Sequence, residues 1–221
     1  VKKGCKTIMA TKKVQKSSKA QKAQSFQDLA KPKAKLFFLS GFMGSGKTTA
    51  GEMAAKKIGV SFVDLDSETE KTLGKPIAEV FEKHGEAYFR RAEAATLGLV
   101  ISAASLITTK ALIVALGGGT IIDPKNAALI NEFGASIFID CDFELCYNRI
   151  LKDSQDESKG ARPLAKSREE LETLFKARQG IYFESSQDVI DGNDCSLNVL
   201  SDRIANFVVE VVSISEIGKK R

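Results

Sequence analysis

Eight consecutive residues, Gly41-Phe42-Met43-Gly44-Ser45-Gly46-Lys47-Thr48, fit the pattern G-x-x-x-x-G-K-[ST]. An apolar run, LFFLS, precedes them and a helical pattern, TTAGEMAAKKI, follows, which is the strand–loop–helix setting that a phosphate loop requires. Glycines let the backbone curl so that successive N–H groups point inward around phosphate oxygens, and the helix that follows adds its positive end. Lys47 would then reach the β- and γ-phosphates, and the Thr48 hydroxyl would ligand Mg²⁺. Such a loop announces a nucleoside triphosphate and leaves open what is done with it.

Other residues could supply the chemistry. Phe62-Val63-Asp64-Leu65-Asp66 closes the next apolar run, and alternation along the chain sets Asp64 and Asp66 on one side. Two acids beside a magnesium–triphosphate site can divide the work. One holds a metal-bound water; the other takes a proton or hydrogen bond from an attacking hydroxyl. The bland alternative is that Asp66 caps a helix beginning at Ser67, and spacing does not choose between the two. Phe89-Arg90-Arg91 with Glu93 lies at the charged start of a helix, where a solvated face is the ordinary reading. Arg178, in Ala177-Arg178-Gln179-Gly180-Ile181-Tyr182, is equally plain in isolation. Two arginines become informative when they converge on one anion, because the guanidinium fork matches a carboxylate with two parallel hydrogen bonds. Gly117-Gly118-Gly119 directly follows an apolar run. Three glycines at the carboxyl end of a strand read either as a loose turn or as a ligand approaching the backbone too closely for side chains.

The elements that must position these groups alternate along the chain. Leu36–Leu39, Ser61–Asp64, Ala111–Leu116, Ser136–Asp140 and Asp188–Asp191 read as strands with helical segments between them. Leu197, Leu200, Ile204, Phe207, Val208 and Val211 mark one face of a last helix, and Ala94 to Ile107 reads as a buried helix. Short apolar strands without strict alternation imply a parallel sheet covered by helices, hence one α/β domain over residues 35–213, with a short C-terminal tail at 214–221. The polar stretch Asp153 to Lys166, ending in Arg162-Pro163-Leu164, is longer than an ordinary connection and reads as a lid over about 153–167.

Charge and cysteine usage exclude several functions. The chain is +5 overall, yet residues 1–35 hold 11 lysines against the single acid Asp28, so the remainder is −5. A basic tail, residues 1–34, thus precedes a mildly acidic body that offers no footprint for nucleic acid. The tail has few large apolar residues and is expected to be disordered; it lacks the arginines usual in transit peptides. Nothing approaches the ~18–20 apolar residues of a membrane span, so no membrane role is expected. Cys5, Cys141, Cys146 and Cys195 are scattered and His84 is the single histidine, which reads as free thiols rather than a zinc framework. The expected compartment is the cytoplasm, or a plastid for a plant source.

Taken in order, GFMGSGKT, FVDLD, GEAYFRRAE, ALGGG, ARPL and RQGIY resemble the shikimate kinase family from about Lys35 to Val212. The resemblance implies a P-loop NTPase-like fold of three layers, related to nucleoside monophosphate kinases, with a five-stranded parallel sheet in the order 2-3-1-4-5 and a lid. It implies ATP-dependent phosphorylation of the 3-hydroxyl of shikimate, with Mg²⁺; a monomer is expected, although the sequence itself does not reveal the oligomeric state. ATP would be held by Gly44, Ser45, Gly46, Lys47, Thr48, Thr49, Arg149 and Arg162. Thr48 and Asp64 would serve the metal. Shikimate would meet Asp66, Arg90, Gly117, Gly118, Gly119 and Arg178, with Glu93 orienting Arg90. Lys47, Asp66 and Arg162 would be catalytic, Arg162 descending with the lid and Arg149 lying near the adenine. RPLA stands where RPLL is frequent, and RQGIY lacks a common proline. A kinase for another polyol acid such as gluconate, a catalytically silent relative, and a P-loop motor or switch are the rival readings. A motor usually ends an apolar strand in an acid, and here the third strand ends in glycines.

Overall fold

The structure, a computed structural model, describes residues 34–154, 167–193 and 196–218. The N-terminal tail, most of the lid segment with Arg162, and Cys5 and Cys195 lie outside the described residues. Strands β1 (Lys35–Ser40), β2 (Ser61–Asp64), β3 (Ala111–Ala115), β4 (Gly134–Asp140) and β5 (Asp188–Asp191) form one sheet. Every pairing is parallel and the order is β2-β3-β1-β4-β5.

The central strands are apolar on both sides because both sides are covered. All of β3 is buried, as are the last five residues of β1. On one face lie α1 (Lys47–Ile58) and α8 (Leu197–Gly218): Phe37 meets Phe207 edge to face at 6.3 Å, and Leu39 meets the α1 backbone at Gly51. On the other, Phe138 stacks on Tyr182 of α7 (Arg168–Ser185). Helices α2 (Leu65–Leu73), α3 (Ile77–His84) and α5 (Pro124–Phe133) pack around α4 (Glu86–Ala103), and α6 (Phe143–Ser154) packs on α7. This is the three-layer α/β architecture, with the strand order, that the resemblance implies.

Small residues let α1 lie close to the sheet. Ala50, Gly51 and Ala54 are buried, and a Cβ on Gly51 would come within 2.8 Å of Leu39 Cδ1 and 3.0 Å of Phe62 Cε2. The helix stops at Gly59, whose φ of +67° suits a residue without Cβ and whose N–H donates to Ala55 O. In α8, Leu200, Ile204 and Val208 face inward at helical spacing, and the helix runs past residue 213 to Gly218.

Two expectations are corrected. The Ala94 to Ile107 stretch is buried on one side only: Leu97 and Ile101 are fully buried, whereas Leu99 is 60% and Leu106 82% exposed, the latter in a 3₁₀ turn beyond the helix. The helix after β2 begins at Leu65, so its cap is Asp64 rather than Asp66, and the alternation argument ends at Asp64.

Because Leu39 is enclosed between β3, β4 and α1, Leu39→Ala is expected to cost about 2–5 kcal/mol in urea unfolding. A loss below ~1 kcal/mol would contradict this packing.

Candidate active site

Three neighbouring strands, β2, β3 and β1, end in a row, and each releases one part of the site. In a parallel sheet, ligands collect beyond the carboxyl ends of strands. Past β1 comes the phosphate loop, past β3 the three glycines, and at the end of β2 the acids Asp64, its last residue, and Asp66, two residues on. The β1 and β3 ends stay tied beyond the strands, Leu116 N donating to Leu39 O at 3.0 Å.

The phosphate loop turns through Gly44 (φ +79°) and Gly46 (φ +97°), a region that disfavours side chains. A Cβ on Gly44 would also stand 2.4 Å from the Cys146 carbonyl oxygen. Helix α1 then starts at Lys47 with no side-chain cap and no acid in its first turn, so its first N–H groups and its dipole suit an anion. Lys47 is 7% exposed and its Nζ donates to the carbonyls of Gly41 and Phe42, each at 2.8 Å, with Ser45 Oγ at 3.4 Å. The ammonium is thus held over the loop, where phosphate oxygens would lie. Thr48 and Thr49 are exposed on the first turn. Arg149 of α6 donates through Nη1 to the carbonyls of Ser45 at 3.0 Å and Gly44 at 3.3 Å, bracing the loop.

Asp64 carries two duties at once. Its Oδ1 accepts from Ser67 N at 2.9 Å as the cap of α2, and its Oδ2 accepts from Thr48 Oγ1 at 2.6 Å. A hydroxyl and a carboxylate so joined are hard oxygen donors of the kind Mg²⁺ takes alongside phosphate and water. Among the described residues no group of three or more His, Cys, Asp or Glu gathers into a metal cage.

The glycine turn collects the remaining groups. A Cβ on Gly117 would lie 2.4 Å from Asp66 Oδ1 and 2.6 Å from Glu93 Oε1. One on Gly118 would lie 3.8 Å from Met43 N of the phosphate loop and 3.9 Å from Arg178 Nη1. One on Gly119 would lie 2.5 Å from both Nη1 and Nη2 of Arg90. Asp66, Arg178 and Arg90 therefore border three successive backbone positions, beside the loop. The solvated-face reading fails for Arg90, which is half-buried, and holds for its neighbour Arg91, which is exposed.

Arg90 is held along α4 by partners one turn away on either side. Nη1 donates to Glu93 Oε2 at 2.9 Å, while Nε and Nη2 donate to Glu86 Oε1 at 3.2 and 3.0 Å. Burial works against its charge, but Glu93 and Glu86 outweigh burial and hold the guanidinium above its ordinary pKa. Arg178 Nη1 donates to Gly118 O at 3.1 Å, and Tyr182, four residues on and so on the same helix face, donates its hydroxyl to that carbonyl. Tyr182 is 1% exposed, and burial pushes its hydroxyl up to about 12, against the pull of Arg178 and Arg90.

Sequence reasoning missed Thr120 and Asn126 as parts of the site, and it marked the i, i+4 spacing of Arg178 and Tyr182 without giving the tyrosine a task. Thr120 donates to Glu93 Oε1 at 2.6 Å and Asn126 Nδ2 donates to Thr120 O at 3.0 Å, contacts that no local pattern announces. Cys141 and Cys146 are free, buried thiols beneath the phosphate loop, Cys141 Sγ donating to Ser45 O at 3.5 Å. Arg162 lies outside the described residues.

The chain has 3 tyrosines and no tryptophan, so ultraviolet titration reads phenol ionisation cleanly. One tyrosine is expected to ionise only near pH 12, and Tyr182→Phe should remove that step. Its folded-state value lies above the ordinary 10.0, so the stability it contributes is complete below pH 10 and fades as pH climbs towards 12. Absence of the late step while the fold persists would contradict the buried hydroxyl.

Comparison with known proteins follows the same lines. The family model for shikimate kinase matches residues 43–210. A shikimate kinase from Persephonella marina is 38% identical over 149 residues, 67% of this chain and 84% of that protein. The solved structure of shikimate kinase from Acinetobacter baumannii in complex with shikimate superposes with a TM-score of 0.69 at 30% identity, covering 80% of this chain and 94% of that one. A deoxyadenosine kinase from M. mycoides, at 17% identity and a TM-score of 0.57, shares the fold alone. With the family model spanning residues 43–210 and a relative 38% identical over 67% of this chain, the chain belongs to the shikimate kinase family.

Proposed function

We propose that this protein transfers the γ-phosphoryl group of ATP to the 3-hydroxyl of shikimate, giving shikimate 3-phosphate and ADP on the route to aromatic amino acids. The carrying observation is the gathering of Asp66, Arg178 and Arg90 along Gly117–Gly119, against the phosphate loop at Met43. A carboxylated ring bearing hydroxyls fits such a site end to end: two guanidinium groups for the carboxylate, one aspartate for a hydroxyl.

Each residue then has a task. Arg90 and Arg178 hold the substrate carboxylate, and the bare backbone of Gly117, Gly118 and Gly119 lets the ring approach. Asp66 orients the 3-hydroxyl and takes its proton as the oxygen attacks the γ-phosphorus. The bond from the γ-phosphorus to the β–γ bridging oxygen breaks, and ADP leaves with that electron pair. Lys47, now on the carbonyls of Gly41 and Phe42, moves onto the β- and γ-phosphates. Gly44, Ser45, Gly46, Thr48 and Thr49 present the loop and the helix start to the phosphates, and Arg149, which braces the loop through the carbonyls of Ser45 and Gly44, would lie towards the adenine. Thr48 and Asp64 would hold Mg²⁺, which when bound would supply positive charge against the phosphates. Arg162 comes over the transferring group with the lid, which shuts out water that would otherwise accept the phosphoryl group.

All of these side chains come from one chain, so the reading needs no second copy and takes the monomer as the working unit. No helix of the described residues is long and apolar enough to cross a membrane. Free thiols at Cys141 and Cys146 suit a reducing compartment, in keeping with the cytoplasm.

A coupled ADP-release assay with shikimate and with gluconate tests the reading; turnover is expected with shikimate. Lys47→Met should abolish phosphotransfer. Arg178→Ala removes charge-assisted hydrogen bonds worth about 1.5–3 kcal/mol, so the KM for shikimate should rise roughly ten- to a hundredfold. The KM for ATP should stay within about twofold. Equal rises for both ligands, or turnover of gluconate alone, would overturn the assignment.

A further inference from the structure

Thr120 opens the 3₁₀ turn Thr120–Ile122 directly after the glycines, and it is fully buried. Its N–H donates to Gly117 O at 3.1 Å, and its carbonyl accepts from Asn126 Nδ2 of α5 at 3.0 Å. Its hydroxyl donates to Glu93 Oε1 at 2.6 Å, while Glu93 Oε2 accepts from Arg90 Nη1 at 2.9 Å. One residue thus joins the glycine turn, α5 and α4.

Glu93 is fully buried, and a buried carboxylate needs partners on both oxygens. With Thr120 on one and Arg90 on the other, its terminal torsion, otherwise broad, has one setting. Without the hydroxyl, both oxygens would be left to Arg90, which would swing towards α4 and away from its place against Gly119. The same hydroxyl bears on Asp66. Asp66 Oδ1 and Glu93 Oε1 sit against one point, 2.4 and 2.6 Å from where a Cβ on Gly117 would be, and Thr120 Oγ1 is 3.1 Å from it. Two carboxylates so placed repel, and the Thr120 proton lies on the Glu93 oxygen that borders Asp66.

We propose that Thr120 is a positioning residue for the acceptor substrate. Acting through Glu93, it sets the angle at which Arg90 meets the substrate carboxylate and keeps Glu93 from displacing Asp66 at the hydroxyl end. Buried Asn126 anchors it against the pull of Glu93. The inference rests on the shikimate reading above and deepens it.

Steady-state kinetics of Thr120→Val and Thr120→Ser test it, with thermal melting recorded in parallel. Thr120→Val replaces the hydroxyl by a methyl group and should raise the KM for shikimate about tenfold, the scale of one lost hydrogen bond to a charged group. The KM for ATP should stay within about twofold, and Thr120→Ser, which restores the hydroxyl, should recover most of the loss. In a Glu93→Gln background the Val substitution should add less than it does alone, because the two act through one contact. Should Thr120→Val not fold, Thr120→Ala carries the same prediction. An unchanged shikimate KM, equal rises for both ligands, or a Ser variant as impaired as the Val variant would overturn the proposal. A wild-type chain inactive on shikimate would instead overturn the functional reading itself.

Discussion

The site depends on the close approach of side chains to a backbone without side chains of its own. Gly117 and Gly119 leave room into which Asp66, Glu93 and Arg90 press, while Arg178 borders Gly118 between them. Any Cβ on Gly117 or Gly119 would stand within 2.4–2.6 Å of carboxylate or guanidinium atoms. These atoms are the ends of flexible side chains, so a larger residue at either position would displace the charged groups from their places rather than break the packing of the fold. The glycines act as the surface on which opposite charges are held a few ångströms apart.

Strand order explains why these groups meet the phosphate loop at all. β3 lies between β2 and β1, with Asp64 in register with Ala115 and Leu39 with Ala115 on the other side. The three carboxyl ends are therefore consecutive in space although residues 40, 64 and 116 are far apart in the chain. The contact of Thr48 with Asp64, the glycine-rich loop after β1 and the gathering of Asp66, Arg90 and Arg178 after β3 follow from that one arrangement.

Much of this was legible in the chain itself, for identifiable reasons. Buried parallel strands are short apolar runs, and all five stand where those runs fall, β4 beginning two residues early at Gly134. The phosphate loop was legible because its function rests on glycines, one lysine and one hydroxyl at fixed spacing. The cap of α2 was not. The run Asp64-Leu65-Asp66-Ser67 holds three cap-competent residues, and tertiary packing of Leu65, which is fully buried, decides among them. Nor was the burial of Glu93 or the role of Thr120. Their hydrogen bond spans 27 positions of sequence, and only the packing of α4 against the glycine turn brings them together. Exposed Leu99 and Leu106 show the converse, apolar residues that the pattern buries and the fold does not.

The most direct measurement is a structure of the protein with shikimate and Mg·ADP bound. The account predicts that the shikimate carboxylate lies between the guanidinium groups of Arg90 and Arg178, with its 3-hydroxyl on Asp66 and facing the phosphates. A carboxylate bound elsewhere, with Asp66 turned away from the ring, would contradict it.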